Sequence, residues 1–139
     1  MTVHGRCRCG NFKIRWQTVD LSLIPRACSC DFCRPREAAY VSKSGTTFRI
    51  SVNNPTLHTI TTQGSRQAQF HLCGHCDDLV CVTAEFDGVT YGALNARLLN
   101  KPEKMNEPAR VDYSDNDATM KRERWQANWC SPVFIDPPE

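Results

Sequence analysis

"LVCVTAEFDGVTYGAL", residues 79–94, carries the clearest structural signal in the chain. The runs 79–86 and 89–94 are rich in valine, threonine and aromatic residues, the composition of β-strands. Between them stands the dipeptide Asp87-Gly88, which favours the tight turn of a β-hairpin. The stretch therefore predicts two antiparallel strands joined by a two-residue turn.

Further segments of the same character lie on the N-terminal side of this hairpin. Their shared features are β-branched or aromatic residues and alternation of apolar with polar side chains. They are residues 12–16, 46–52, 56–62 and 68–72. Turn-forming residues separate these segments, such as Gly10 and the "NNP" of residues 53–55. The pattern predicts a mostly β protein.

The C-terminal part predicts one short helix within residues 115–129, with Asp115 or Asp117 near its start. Trp125 and Trp129 would share one face of that helix because they are four residues apart. A chain of 139 residues is of the size of one domain, so we expect residues 1–139 to form a single domain. Nothing in the sequence specifies an oligomeric state.

Composition excludes several classes of protein. Hydrophobic residues make up 40% and charged residues 23% of the chain, and the net charge is only +2. The chain has no basic patch with interleaved aromatic residues, so nucleic acid is not expected as its partner. No apolar stretch is long enough to span a membrane, and "MTVHGRCRCG" at the N-terminus has no apolar signal region. We therefore expect a cytoplasmic protein whose nine cysteines stay reduced, and metal binding explains their number better than a disulfide framework does.

Seven of the nine cysteines fall into three groups with the spacing of metal ligands. The groups are Cys7 with Cys9, then Cys28, Cys30 and Cys33, and finally Cys73 with Cys76. A four-thiolate zinc site is closed, whereas a site with three protein ligands keeps one position for an exogenous ligand. The cysteines divide naturally into a closed site from the two doublets and an open site from the triplet. Spacing leaves other divisions open, such as the first doublet joined to part of the triplet.

The remaining candidate ligands have plainer interpretations. Cys81 lies in an apolar strand and is expected to be a buried hydrophobic residue. Asp31, inside the triplet, favours a turn. His71 and His75 flank Cys73 beside a site that is already complete, so structural or exposed positions are expected for them. Cys130 and Asp31 stay open as candidates to approach the triplet zinc.

Three motifs in order resemble the glutathione-dependent formaldehyde-activating enzyme family, which includes the centromere protein V relatives. They are "GRCRCGNFKI", "ACSCDFCR" and "FHLCGHC", and the resemblance covers about residues 3–95, with a weakly matching tail. The resemblance implies a β-tent fold of small antiparallel sheets stapled by zinc, with two zinc ions per chain. It places Cys7, Cys9, Cys73 and Cys76 on a structural zinc. It places Cys28, Cys30 and Cys33 on a catalytic zinc.

The family resemblance also implies the reaction. It indicates a carbon–sulfur lyase acting on a thiol–aldehyde adduct similar to S-hydroxymethylglutathione, with glutathione as the first candidate thiol. Zinc with three thiolates has a formal charge of −1, so an incoming thiolate needs nearby cations. Arg34 is the candidate for this role, and Arg26 and Arg36 also flank the triplet.

Departures from the family pattern concern the substrate more than the metal. Ser29 stands where the family often has histidine, and Ala38 and Ala39 stand where a glycine is common. The alternative to an enzyme is a non-enzymatic zinc-stabilised module that binds a protein partner. A fourth protein ligand on the triplet zinc would favour that alternative.

Overall fold

The computed structural model describes residues 2–17, 25–28, 33–36, 38–62, 68–100, 109–111 and 118–136. This part of the chain contains eleven strands and one α-helix. The strands are β1 (Thr2–Arg6), β2 (Phe12–Gln17), β3 (Arg26–Cys28), β4 (Ala39–Val41), β5 (Thr47–Val52), β6 (His58–Thr62), β7 (Gln69–Cys73), β8 (Leu79–Phe86), β9 (Val89–Asn95), β10 (Ala109–Val111) and β11 (Phe134–Asp136). The helix, α1, spans Ala118–Asn128, and short 3-10 turns lie at Arg34–Arg36, Pro55–Leu57 and Ala96–Leu98.

The strands form two sheets in which most neighbours are antiparallel. One sheet has four strands in the order β1-β2-β5-β11, and the other has seven in the order β10-β3-β4-β9-β8-β7-β6. The parallel pairs are β11 with β5 and β10 with β3, each at the edge of its sheet. The prediction of a mostly β protein with small antiparallel sheets is confirmed.

The predicted hairpin is present as β8 and β9. Phe86 pairs with Val89, and the turn residues Asp87 and Gly88 have φ angles of 52° and 79°. Positive φ at both turn residues matches the right-handed twist of the strands, which explains the preference for this dipeptide. The predicted segments at 12–16, 46–52, 56–62 and 68–72 correspond to β2, β5, β6 and β7, with small shifts at their ends.

Five strands lie outside the predicted segments: β1, β3, β4, β10 and β11. Four of these have only three residues, too few for an alternating pattern to be visible. In β1 the inward positions include Val3 and Gly5, and a glycine adds no apolar side chain to the pattern. A Cβ atom at Gly5 would overlap the carbonyl oxygen of Leu98, so the close approach of these backbones requires glycine.

The main core lies between the two sheets. The inward side chains of the four-stranded sheet, such as Phe12, Ile14 and Trp16, pack in one cluster with Val80 and Leu94 of the seven-stranded sheet. Cys7 and Cys73, one from each cysteine doublet, belong to the same cluster, so this core lies directly beside the doublets.

Helix α1 covers another part of the seven-stranded sheet. Trp125 and Trp129 stack with ring centroids 4.8 Å apart and pack with residues of β8 such as Val82, so the predicted shared face is confirmed. Asp115 and Asp117 lie outside the described residues. Within the described part of the chain, no helix combines the length and apolar character needed to cross a bilayer.

Candidate metal centre

Both cysteine doublets lie in the turns of β-hairpins. Cys7 and Cys9 lie between β1 and β2, whereas Cys73 ends β7 and Cys76 lies in the turn that leads to β8. Gly10, with a φ of 81°, allows the first turn to reverse direction directly after its second cysteine. Because these two hairpins belong to different sheets, the two doublets meet where the sheets meet.

The four sulfur atoms have the spacing of a tetrahedral zinc site. The Sγ atoms of Cys7, Cys9, Cys73 and Cys76 all lie within 4.8 Å of one another. The Sγ atoms of Cys7 and Cys9 are 3.7 Å apart, and those of Cys9 and Cys73 are 3.5 Å apart. Zinc–sulfur bonds of about 2.3 Å in a tetrahedron place the sulfurs about 3.8 Å apart. The four thiols are not joined by disulfides, and their arrangement fits a metal ion.

The local environment influences how these thiols titrate. Burial raises the pKa of Cys7 and of Cys73, and the thiols of Cys9 and Cys76 add to the effect at Cys73. Burial also acts to raise the pKa of Cys76, but hydrogen bonds from the backbone N–H groups of Cys9 and Asp78, together with those of the Cys73 and Cys7 thiols, outweigh it, and the pKa is lowered. Backbone N–H groups directed at sulfur stabilise a thiolate. A divalent cation would supply the remaining charge needed for all four thiols to lose their protons at neutral pH.

An ion pair that the motifs do not reveal joins the two turns. Asp78 is buried, and its Oδ1 atom accepts a hydrogen bond from Nε of Arg8 at 3.0 Å. Its Oδ2 atom accepts a second hydrogen bond from the backbone N–H of Arg8 at 2.7 Å. In the sequence these two residues read as ordinary charged positions beside cysteines. Their only sequence signal is position, because Arg8 lies between Cys7 and Cys9 and Asp78 follows Cys76 by two residues.

The triplet is described only in part. Cys33 is buried, and its Sγ atom lies 3.1 Å from the hydroxyl oxygen of Tyr40 in β4. Cys28 ends β3, but its side chain, like the whole of Cys30 and Asp31, lies outside the described residues. The open zinc site therefore stays a prediction. The sequence motifs do not single out Tyr40, and only the structure shows that its hydroxyl contacts the sulfur of Cys33.

The flanking arginines differ in their surroundings. Arg34 is exposed in the 3-10 turn that follows Cys33. Arg26 in β3 donates a hydrogen bond from Nη2 to the hydroxyl of Ser42 at 2.8 Å. The side chain of Arg36 lies outside the described residues. The predicted role of Arg34 in charge compensation stays a prediction.

The two isolated cysteines are buried in the core between the sheets. Cys81 is fully buried, and burial strongly raises the pKa of its thiol, consistent with its expected role as a small hydrophobic residue. Cys130 lies 3.3 Å from the Oγ1 atom of Thr46, and burial raises its pKa as well. Cys33 packs in a different cluster, with Ala38, Leu72 and Leu79.

The histidines near the doublets take the expected plain roles. His71 is buried and forms hydrogen bonds with His58 and Thr83. His75 is exposed and lines a cavity of about 290 Å³ next to Cys9.

With this geometry in place, comparison with known proteins assigns the family. The model of the family described as "Glutathione-dependent formaldehyde-activating enzyme" matches residues 2–115. The chain therefore belongs to the glutathione-dependent formaldehyde-activating enzyme family. The resemblance read from the cysteine motifs is confirmed, and the match extends beyond the predicted residues 3–95. All three cysteine groups of this family member lie within the matched region.

A solved structure supports the fold of this formaldehyde-activating family member. The crystal structure of a protein from Rhodobacter sphaeroides is similar to it, with a TM-score of 0.55 and 23% sequence identity. The similarity covers 70% of this chain and 87% of the Rhodobacter protein. At this identity the likeness concerns the fold alone. No match was found among curated proteins.

Proposed function

We propose that this protein is a zinc-dependent carbon–sulfur lyase of the glutathione-dependent formaldehyde-activating type. Its substrate would be a thiol–aldehyde adduct similar to S-hydroxymethylglutathione. Formation of the adduct adds the thiol S–H across the aldehyde C=O, so that sulfur bonds to carbon and oxygen gains the proton. Cleavage is the reverse. Membership of the family over residues 2–115 is the observation that carries this proposal.

Two zinc ions per chain are part of the proposal. Cys7, Cys9, Cys73 and Cys76 would hold a structural zinc that staples the two sheets of a β-tent, and the sulfur spacing supports this assignment. Cys28, Cys30 and Cys33 would hold the catalytic zinc. Zinc with an open position supplies a Lewis acid that lowers the pKa of a bound thiol or water.

The chain's own residues would tune and complete that second site. The hydroxyl of Tyr40 can donate a hydrogen bond to the thiolate of Cys33 and reduce its electron density. Arg34, exposed beside Cys33, can offset the negative charge of an incoming thiolate or carboxylate. Residues 1–139 form a single domain in this proposal, because α1 and β11 pack on the same two sheets as the cysteine motifs. The cytoplasm, which is reducing, would keep these thiolates available to metal.

Exchange spectroscopy by NMR tests the reaction directly. Formaldehyde labelled with carbon-13 and glutathione form their adduct slowly without a catalyst, so the exchange rate between free and bound aldehyde is measurable. The zinc-loaded protein is expected to increase that rate, and the Cys30→Ser variant is expected to leave it at the uncatalysed value. If the zinc-loaded wild-type protein leaves the rate unchanged, the enzyme assignment is wrong, and the protein-binding module becomes the better interpretation.

A further inference from the structure

The non-ligand residues Arg8 and Asp78 link the two halves of the four-cysteine site. Arg8 lies between Cys7 and Cys9, and Asp78 lies two residues after Cys76. The side chain of Asp78 is 6% exposed and that of Arg8 is 67% exposed. The carboxylate of Asp78 therefore reaches from the interior and is met by both the backbone and the side chain of Arg8.

Backbone contacts complete the link. The Nη2 atom of Arg8 donates a hydrogen bond to the carbonyl oxygen of Cys76. The backbone N–H of Cys73 donates to the carbonyl oxygen of Asp78 at 3.0 Å. The contact between Cys73 and Asp78 lies within the second turn, whereas the contacts of Arg8 with Asp78 and Cys76 join the two turns. None of these contacts uses a sulfur atom, so all four sulfur atoms stay available to metal.

Energetics make Asp78 the central residue of the link. A buried carboxylate is costly unless it is paired and hydrogen-bonded, so its position is tied to that of Arg8. Removing the charge of Asp78 weakens both hydrogen bonds that its carboxylate accepts from Arg8. Removing the Arg8 side chain leaves the hydrogen bond from the backbone N–H of Arg8 to Asp78 in place. We infer that Asp78 is a positioning residue that sets the affinity of the four-cysteine site for zinc by holding the Cys7–Cys9 turn against the Cys73–Cys76 turn. This inference rests on the proposed binding of zinc by these four cysteines.

A purely electrostatic role predicts a different pattern of effects. If only charge mattered, loss of the Arg8 cation would strengthen the attraction of the site for Zn²⁺. Loss of the cation of Arg6, an exposed arginine directly before Cys7, would then strengthen zinc binding much as loss of the Arg8 cation would. Positioning instead predicts that changes at Arg8 and Asp78 both weaken binding, and that a change at Arg6 does not.

The test uses the full chain carrying Cys30→Ser, so that the four-cysteine site is measured alone. Zinc affinity is determined by competition with a chromophoric chelator, and the thiolate-to-cobalt absorption band of the cobalt-loaded protein reports the number of sulfur ligands. Asp78→Asn and Arg8→Gln are expected to lower zinc affinity by about 10- to 100-fold with an unchanged cobalt band, because the four sulfurs remain. The matched control Arg6→Gln makes the same substitution at another exposed arginine, and it is expected to keep the parent affinity.

Two results would overturn the inference. One is parent affinity in both Asp78→Asn and Arg8→Gln, and the other is tighter binding in both Arg8→Gln and Arg6→Gln. Arg8→Gln alters a mostly exposed side chain, so it decides the matter even if Asp78→Asn fails to fold. If the Cys30→Ser parent itself binds no zinc, the metal proposal fails, and the positioning role fails with it. Parent binding with unaffected variants contradicts the positioning role alone.

Discussion

The Nδ1 atom of His71 lies 2.8 Å from the Nε2 atom of His58. The other ring nitrogen of His71, Nε2, lies 2.7 Å from the hydroxyl oxygen of Thr83, and the His71 side chain is only 4% exposed. In the neutral pair, one ring donates the hydrogen bond and the other accepts it. Burial, followed by the proximity of His58, lowers the pKa of His71 from 6.5 to about 4.

This lowered pKa predicts a loss of stability on acidification. Between pH 6.5 and 4 the unfolded chain binds a proton at His71 that the folded chain does not, so the free energy of unfolding rises with pH across this window. His71 alone accounts for a loss of about 3 kcal/mol as pH falls from 6.5 to 4, and the effect is absent above that window. Urea unfolding at a series of pH values measures the slope, and His71→Gln should make it shallower. A His71 ring that titrates near 6.5 by NMR would contradict the prediction.

Two zinc ions per chain are expected in the reduced protein. The four-thiol cluster accounts for one, and the predicted site of Cys28, Cys30 and Cys33 accounts for the other. Native mass spectrometry should show a mass increase of two zinc ions, and Cys30→Ser should show one. A single zinc in the wild-type protein, or disulfides without metal, would refute the division into four plus three.

Cys73→Ser should destabilise the protein far more than Cys30→Ser. Cys73 ends β7 at the place where the two sheets meet, so loss of its sulfur opens the cluster that joins them. The expected cost is at least about 3 kcal/mol, or roughly 10 °C in Tm, against a small change for Cys30→Ser. Differential scanning calorimetry of both zinc-loaded variants makes the comparison. Equal decreases in Tm would argue against separate structural and catalytic roles.

Tyr40→Phe should weaken metal binding at the triplet site and leave the four-cysteine site unchanged. The variant removes the hydroxyl that lies 3.1 Å from the sulfur of Cys33 while keeping the aromatic ring. Loss of such a hydrogen bond to a metal ligand lowers affinity by about tenfold or more. Chelator competition measures the metal affinity of both sites. The affinity that is lost in Cys30→Ser belongs to the triplet site. Tyr91→Phe, another partly buried tyrosine, is the matched control, and equal effects of the two substitutions would remove the special role of Tyr40.

A small thiol should bind at the triplet metal. In the cobalt-substituted protein, titration of glutathione is expected to change the visible spectrum, because a thiolate entering an open position adds a sulfur ligand. Cys30→Ser should not respond, and Arg34→Ala should need more glutathione for the same change, since it removes an exposed cation beside Cys33. A wild-type spectrum that already reports four thiolates at both sites, and stays constant with glutathione, would show that the position is closed.

Local patterns were enough to predict the β-hairpin and the grouping of the cysteines. The turn at Asp87-Gly88 and the alternation along β2 and β5 depend on neighbouring residues, so they can be read directly from the chain. The same holds for the cysteine doublets, because two ligands in one tight turn can reach one ion. The family resemblance likewise depended on the order and spacing of these short motifs.

The ion pair of Arg8 and Asp78 could not be predicted in this way. The two residues are 70 positions apart, and charged residues of this kind are common on any protein surface. The hydroxyl of Tyr40 lies only seven residues from Cys33 along the chain, but no motif reveals the contact, because it depends on how the connection between β3 and β4 folds. The Arg8–Asp78 contact depends on how remote segments are placed relative to each other.

The amino-acid sequence alone therefore accounts for the class of the fold, the family and the sulfur atoms offered to metal. The sequence also predicted that the turn after β1 meets the turn after β7, with other divisions of the cysteines left open, and the tertiary structure brings these two turns together. Only the tertiary structure showed that Asp78 is the acidic side chain that bonds across them. The three-residue strands β3, β4, β10 and β11 were decided in the same way, because each exists through its pairing with a remote strand. The physical reason is that burial and hydrogen bonding across the sheets act between distant residues, whereas turn and strand propensities act between neighbours.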